Sequence, residues 1–234
     1  MKYRWASATH TGRVRSNNED AVYPPTSGAG DDSTLFIVAD GMGGHVAGEV
    51  ASRIAVDTAV DIVGGPTQRV IGANHALLLE VAEKPELAGM GTTMTLLEIV
   101  DDVAHIAHVG DSRAYLLRDG VLRQLTEDHT VAAEYVAAGR LSPEEAMTHP
   151  QRNMITRALG LTQDLLVDEV EEPARPGDRF LLCSDGVNSM LTDDQIAEQL
   201  RADSPEEAAW GLVEAANAAG GNDNISAVVV DVVE

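Results

Sequence analysis

Four times along this chain an apolar run meets an aspartate close to a glycine. Leu35-Phe36-Ile37-Val38-Ala39 runs into Asp40-Gly41-Met42-Gly43-Gly44, and Phe180-Leu181-Leu182-Cys183-Ser184 runs into Asp185-Gly186. Val103 to Val109 runs into Gly110-Asp111, and Gly220-Gly221-Asn222-Asp223-Asn224 leads into Ile225 to Val233. Short apolar runs rich in β-branched and aromatic residues read as buried strands. A lone Asp-Gly is an ordinary turn. Its recurrence over most of the chain implies that strand ends converge on one acidic site. Two carboxylates about 4 Å apart, at an effective dielectric near 20, repel by roughly 4 kcal/mol. Such a cluster persists only with protons or cations inside it, and an all-oxygen donor set favours Mg²⁺ or Mn²⁺ over Zn²⁺. The glycines after Asp40 let the backbone turn sharply and bring its own carbonyls and amides against a ligand.

Composition narrows the field. At 234 residues the chain fits one large domain, and its core is mostly Val, Leu, Ile and Ala because aromatics make up only 3%. A net charge of −22 argues against nucleic acid or an anionic membrane as the main partner. Cys183 is the only cysteine, so an internal disulfide is ruled out, and its apolar neighbours mark it as a core residue. No Cys-x₅-Arg loop surrounds it, which sets aside thiol-based phosphoryl chemistry. Met1 to His10 lacks an apolar export core and no apolar run reaches membrane-spanning length, so the expected location is cytoplasmic.

Taken in order, Tyr3 to Thr9 is expected as a strand and Gly12 to Asp20 as a polar loop. That loop places Arg15 shortly before Glu19 and Asp20, a cation for an anion beside carboxylates for metal. Tyr23 to Asp32 is Pro/Gly/Ser-rich and reads as a tip between strands. Helical spacing predicts a helix over Ala47 to Val63, stopped by Gly64-Gly65-Pro66, and a second from Thr67 to about Ala82. Strands follow at Met94 to Val100 and Val103 to Val109, then a hairpin of Ala114 to Leu117 and Val121 to Leu125 about Asp119-Gly120. Residues 126–161 are polar and interrupted by prolines, with short helices at Val131 to Ala138 and Pro143 to Met147, a candidate flap over a site. Helices are expected again at Thr192 to Leu200 and from Ser204-Pro205. Antiparallel pairs with helices in two groups predict an α+β layered domain, with a helix pair on each side of a two-sheet sandwich.

Arg15-Ser16-Asn17-Asn18-Glu19-Asp20, Asp40-Gly41-Met42-Gly43-Gly44, Gly91-Thr92-Thr93, Gly110-Asp111-Ser112-Arg113, Ser184-Asp185-Gly186 and Asp223-Asn224 occur in an order that resembles the bacterial PPM (type 2C) metal-dependent protein phosphatases. The motifs cover essentially the whole chain; each is weak alone and together they are specific. The resemblance implies an α-β-β-α sandwich of two antiparallel sheets, residues 1–234 as one catalytic domain, and a flap at about 131–160. It implies hydrolysis of phosphoserine and phosphothreonine on proteins by a metal-activated bridging water, without a covalent phosphoenzyme. It implies two divalent cations, Mn²⁺ or Mg²⁺, and a third, weaker one.

Carried over residue by residue, Asp40 resembles the carboxylate bridging two metals, with the Gly41 carbonyl on one of them. Asp185 and Asp223 resemble ligands of the other, and Glu19 and Asp20 the acids that hold metal-bound waters. Asp111 resembles the ligand of the third metal, shared with Asp185, and Asn153 in the flap is placed to approach it. Arg15 matches the arginine that grips the substrate phosphate. One departure concerns the leaving-group acid: Met42 stands where eukaryotic members have histidine, and His45 is the candidate, with a structural role as its competitor. His10, His75, His105, His108, His129 and His149 show no metal-ligand spacing and read as structural or surface residues. The implied partners are phosphorylated proteins, a Ser/Thr kinase or its substrates among them, with no nucleic acid or membrane, and the expected state is a monomer.

Two other readings are open to test. A phosphotransferase with an aspartyl nucleophile also puts Asp at a strand end, but it wants an Asp-x-Asp pair and a parallel sheet. A metal-poor phosphatase fold acting as a binding or sensor module would lack Asp40, Asp185 or Asp223, and all three are present.

Overall fold

The computed structural model describes residues 1–31, 35–43 and 47–233. Two antiparallel sheets lie face to face. The first has the order β3-β1-β12-β11-β8-β9, built from β3 (Gly28–Gly30), β1 (Tyr3–His10), β12 (Ile225–Val232), β11 (Arg179–Cys183), β8 (Arg113–Arg118) and β9 (Val121–Gln124). The second has the order β10-β7-β6-β4-β2, built from β10 (Asp168–Pro173), β7 (Val103–Val109), β6 (Met94–Val100), β4 (Leu35–Met42) and β2 (Asp20–Tyr23). A two-residue strand β5 (Gly91–Thr92) extends it beside the end of β4. Among the described residues every strand pairing is antiparallel, so the parallel sheet expected of an aspartyl phosphotransferase is not what this sequence makes.

The α-β-β-α layering follows from which faces are apolar. Phe36, Val38, Leu97, Phe180, Leu182, Val228 and Val230 fill the space between the sheets. The alternate residues of the same strands face outward onto helices, because successive side chains on a strand point to opposite sides. Ile37, Ala39 and Leu96 meet α1 (Ala47–Asp61) and α2 (Pro66–Glu83). Leu181, Cys183 and Val229 meet α6 (Asp193–Gln199) and α7 (Pro205–Ala218), with α5 (Asp185–Asn188) between β11 and α6. Strands buried on both faces read as continuous apolar runs, which is why they are plain in the sequence. Caps set the helix starts: Thr192 and Ser204 accept the Gln195 and Glu207 amides, and Pro66 and Pro205 occupy the first helical position.

The segment expected as a flap lies between β9 and β10 and contains α3 (Val131–Ala137) and α4 (Pro143–Met147). Two isolated bridges, Thr130↔Ile155 and Thr92↔Leu159, tie its two ends to each other and to the body. Among the described residues no helix is long and apolar enough to cross a membrane.

Two expectations need correction, and one strand has no counterpart among them. The run ending at Asp40 does not give way to a loop there: β4 continues through Gly41 and Met42, because Gly41 and Met42 pair with Thr92 and Gly91. The loop expected up to Asp20 ends in a short strand, β2, and the tip expected after Tyr23 contains another, β3. The acidic stretch Asp168–Pro173 is also a strand, β10, with Val170 its only large apolar residue. It is an edge strand held by pairing to β7 and by ion pairs of Glu172 with Arg118 and Arg123. Carboxylates and a proline on such an edge discourage further strand addition.

Phe36 is fully buried between the sheets and packs edge-on against Trp5, ring centroids 5.8 Å apart. Phe36→Ala should cost about 4 kcal/mol of unfolding free energy, read as a lower denaturation midpoint in urea. An unchanged midpoint would contradict this placement of the inter-sheet core.

Candidate active site

The acids singled out in the sequence arrive from both sheets at one edge of the sandwich. Asp20 and Asp40 are directly opposite each other across β2 and β4. Asp185 opens α5 immediately after β11, so it starts a helical turn where the sequence suggested a strand–glycine loop. Asp111 follows β7, and Asp223 precedes β12. The Asp40 and Asp185 side chains reach each other, and Asp223 lies close enough to both to act on them electrostatically.

The backbone beneath them is tightly specified. Asp40 N–H donates to Thr93 Oγ1 at 2.9 Å, while the Asp40 carbonyl accepts from Thr93 N–H at 2.9 Å and Thr92 Oγ1 at 2.8 Å. Gly41 N–H donates to the Glu19 carbonyl at 3.1 Å. A Cβ on Gly41 would stand 2.1 Å from the Gly48 carbonyl oxygen and 2.6 Å from that of Glu19. Only glycine lets β4, α1 and the Arg15–Asp20 loop approach this closely. The Glu19 carboxylate itself lies over Gly48 in the first turn of α1.

Electrostatics show how crowded the acids are. Loss of water around Asp20 carries its pKa to about 7; hydrogen bonds from Ser226 and Ser184 oppose the rise, and Asp185 and Asp223 add to it. Asp40 is held well above the usual carboxylate range, first by desolvation and then by Asp20, Asp185, Asp111 and Asp223. Desolvation and the charge of Asp185 push Asp111 up to about 8. Asp185 rises to about 6, chiefly through desolvation and then Asp223, with a bond from Asp40 and the charge of Arg15 opposing. Glu19 is raised by desolvation, against the pull of Arg15. Arg15, about half exposed, donates from Nη2 to Asp223 Oδ2 at 2.7 Å and is raised first by that bond.

These residues fit divalent cations. Asp20 Oδ1 and Asp185 Oδ1 are buried and have no hydrogen-bond partner in the protein. A buried carboxylate oxygen without a donor is costly unless a cation or proton satisfies it. Among the described residues no three His, Cys, Asp or Glu side chains form a ready-made cage for one ion. The donors gathered here are all carboxylate and carbonyl oxygens, which suit hard, water-rich cations such as Mg²⁺ and Mn²⁺.

Of the other expected participants, His45 lies outside the described residues. Asn153, in the flap, shares with Asp111 and Asp185 the wall of a cleft of about 760 Å³ that runs between the flap helices and the body. A second cleft of about 760 Å³, at the far end of the first sheet, contains none of these residues. Its Arg179 and Asp178 are committed to ion pairs with Asp231 and Arg118.

The role of Asn224 was not legible. Its Nδ2 donates to the carbonyls of Thr11 at 2.9 Å and Asn17 at 2.8 Å, and its Oδ1 accepts the Glu19 amide at 2.8 Å. One side chain thus fastens the Arg15–Asp20 loop to the start of β12. The adjacency Asp223-Asn224 was the available signal, but it carries no hint of partners some 200 positions away in the chain.

The raised carboxylates have a consequence for stability. In the unfolded chain they titrate near 4; in the fold Asp185, Asp20 and Asp111 titrate at about 6, 7 and 8. A carboxylate with a raised folded pKa stabilises the fold while protonated, and that contribution is lost as pH rises from about 4 through the folded value. In EDTA the protein should melt at lower temperature at pH 8 than at pH 5.5, and Mn²⁺ should narrow the difference. Asp185→Asn should raise the pH 8 melting temperature in EDTA. A variant no more stable than the parent there would contradict the repulsion.

Comparison with known proteins agrees with this geometry. Residues 9–215 match the family described as Protein phosphatase 2C. The chain is 42% identical to the serine/threonine protein phosphatase PstP of Mycobacterium tuberculosis, over 99% of this chain and 45% of that protein. It thus spans about half the length of that relative. It is 38% identical to the serine/threonine phosphatase stp of Listeria monocytogenes, over 95% of this chain and 93% of that one. The crystal structure of M. tuberculosis PstP superposes with a TM-score of 0.92 at 40% identity, covering 100% of both chains. The PstP catalytic domain in complex with two manganese ions gives 0.88 at 40% identity, covering 100% of this chain and 99% of that one. Sheet order, acidic edge and sequence agree: this chain belongs to the protein phosphatase 2C family.

Proposed function

We propose that this chain hydrolyses phosphoserine and phosphothreonine esters on proteins, using Mn²⁺ or Mg²⁺ and no covalent phosphoenzyme. The observation that carries the reading is the convergence of Asp20, Asp40, Asp111 and Asp185, all with raised pKa values, on an edge where Arg15 supplies a guanidinium. The two manganese ions of the PstP structure and the phosphatase names of the relatives support it.

In this reading Asp40, the Gly41 carbonyl, Asp185 and Asp223 would hold the cations. Glu19 and Asp20 accept from their waters. When bound, the cations supply the Lewis acidity that makes water nucleophilic near neutral pH and offset charge on the phosphoryl oxygens. The protein supplies the rest. Arg15 presents a planar fork that binds two phosphoryl oxygens at once, and turning from Asp223 towards substrate exchanges one charge-assisted bond for others. Asn224 holds the loop that carries Arg15 and Glu19, so the anion grip is positioned before substrate arrives.

Cys183 takes no part. It is buried in the core and desolvation pushes its thiol up to about 12, so no thiolate is present at neutral pH. Asp111 and Asp185, which line the same cleft as Asn153, would hold a third cation. His45 remains the candidate to protonate the leaving serine or threonine oxygen. The substrates are phosphorylated proteins, including a Ser/Thr kinase or its targets.

The direct assay is phosphate release from a phosphothreonine peptide with Mn²⁺ and then with excess EDTA. Turnover that EDTA abolishes is expected, and absence of turnover with either Mn²⁺ or Mg²⁺ in folded protein would favour the metal-poor binding module. Arg15→Ala should raise KM for the peptide by about tenfold, the loss of one charge-assisted contact, with a smaller fall in kcat. An unchanged KM would remove Arg15 from the phosphate.

A further inference from the structure

Where the flap leaves the body, a buried histidine joins three segments. His129 is 4% exposed, directly precedes the N-cap of α3, and its Nδ1 accepts the Gly110 amide proton at 3.0 Å. An imidazole nitrogen that accepts an amide proton carries none, so the proton of the neutral ring sits on Nε2. There it donates to Asp168 Oδ2 at 3.1 Å, at the start of β10. Arg157 Nη1 also lies 3.2 Å from Nε2, but both groups are then donors, and its bond goes to Asp168 Oδ1 at 2.7 Å. The backbone continues the junction: His129 N–H donates to the Gly110 carbonyl at 2.7 Å, and Thr156 N–H, on the returning arm of the flap, donates to the His129 carbonyl at 2.8 Å.

The partner on the body side is unusual. Gly110 has φ +114°, and a Cβ there would stand 2.5 Å from the Thr93 side chain. No side chain can therefore anchor this residue, and both its amide and its carbonyl are bound by His129. The next residue is Asp111, so the orientation of the Gly110 peptide decides where that carboxylate points. Thr93 completes the connection, because its hydroxyl bonds Ser112 Oγ at 2.7 Å and accepts from the Asp40 amide at 2.9 Å.

We propose that His129 is a positioning residue for dephosphorylation: it fixes the peptide that aims Asp111 and docks the flap to that same peptide. Flap and Asp111 then move as one unit, and a polypeptide engaged by the flap cleft acts on the acidic site through Gly110. The proposal rests on the function proposed above, and its test is read separately from that function.

Two substitutions divide the imidazole. His129→Asn places an amide oxygen near the Nδ1 position and keeps an acceptor for Gly110. His129→Gln places an amide nitrogen near Nε2, keeps a donor for Asp168 and offers nothing to Gly110. Amide exchange of the full chain is followed by NMR in EDTA, and kcat and KM are measured on a phosphothreonine peptide at saturating Mn²⁺. In His129→Gln the Gly110 amide should exchange about tenfold faster and kcat should fall about tenfold at nearly constant KM, as expected from one lost buried hydrogen bond. In His129→Asn both should stay within about threefold of the parent. Gly110 equally protected in His129→Gln and the parent would overturn the proposal. So would equal losses of kcat in both variants, which would mark His129 as a structural anchor only. A parent protein with no turnover would defeat the proposed function, while the exchange data would still decide whether the latch exists.

Discussion

Asp20 and Asp40 sit directly opposite each other on neighbouring strands, where like charges repel most. Asp185 and Asp223 come in from the other sheet to the same place. No fold gains stability from such a grouping, so the surrounding structure must hold it against its own repulsion. The sandwich does so with two largely aliphatic layers under helices and a third between the sheets. The acids sit at the edge of that rigid mass, where strand ends are fixed and solvent is near.

The connections at the edge are made by small polar residues. Ser184 donates to Asp20, Thr92 and Thr93 bind the Asp40 backbone, and Asn224 fastens the Arg15–Glu19 loop to β12. None of these bears a charge. They decide where the charged groups stand, and a catalytic constellation is only as good as the shell that holds it. Gly41 contributes by what it lacks, since any side chain there would collide with α1 and the Glu19 carbonyl.

Much of this was legible. The helices 47–61 and 66–83 follow from apolar spacing, with Pro66 at the start of the second, helix 205–218 starts at its Ser204 cap and Pro205, and the doubly buried strands follow from their apolar runs. The candidate acids were legible because aspartate beside glycine at a strand end recurs. What could not be read was anything set by pairing. β10 is acidic and becomes a strand only because β7 lies beside it, and β2 and β3 are too short to show a period. Asp185 was expected on a strand–glycine loop and opens a helical turn, which a single Asp-Gly cannot distinguish. His129 read as a structural or surface residue because its partners, Gly110 and Asp168, lie far away in sequence and share no spacing with it.

The central claim is that these carboxylates form one site whose repulsion is relieved by divalent cations. Calorimetric titration of the protein with Mn²⁺ near pH 7, in buffers of differing ionisation enthalpy, tests it most directly. Cations can bind only by displacing the protons that the crowded acids retain, so binding should release protons and the observed heat should change with the buffer. Two or more ions per chain with net proton release is the predicted result. Binding with buffer-independent heat, or no binding at all to folded protein, would contradict the account.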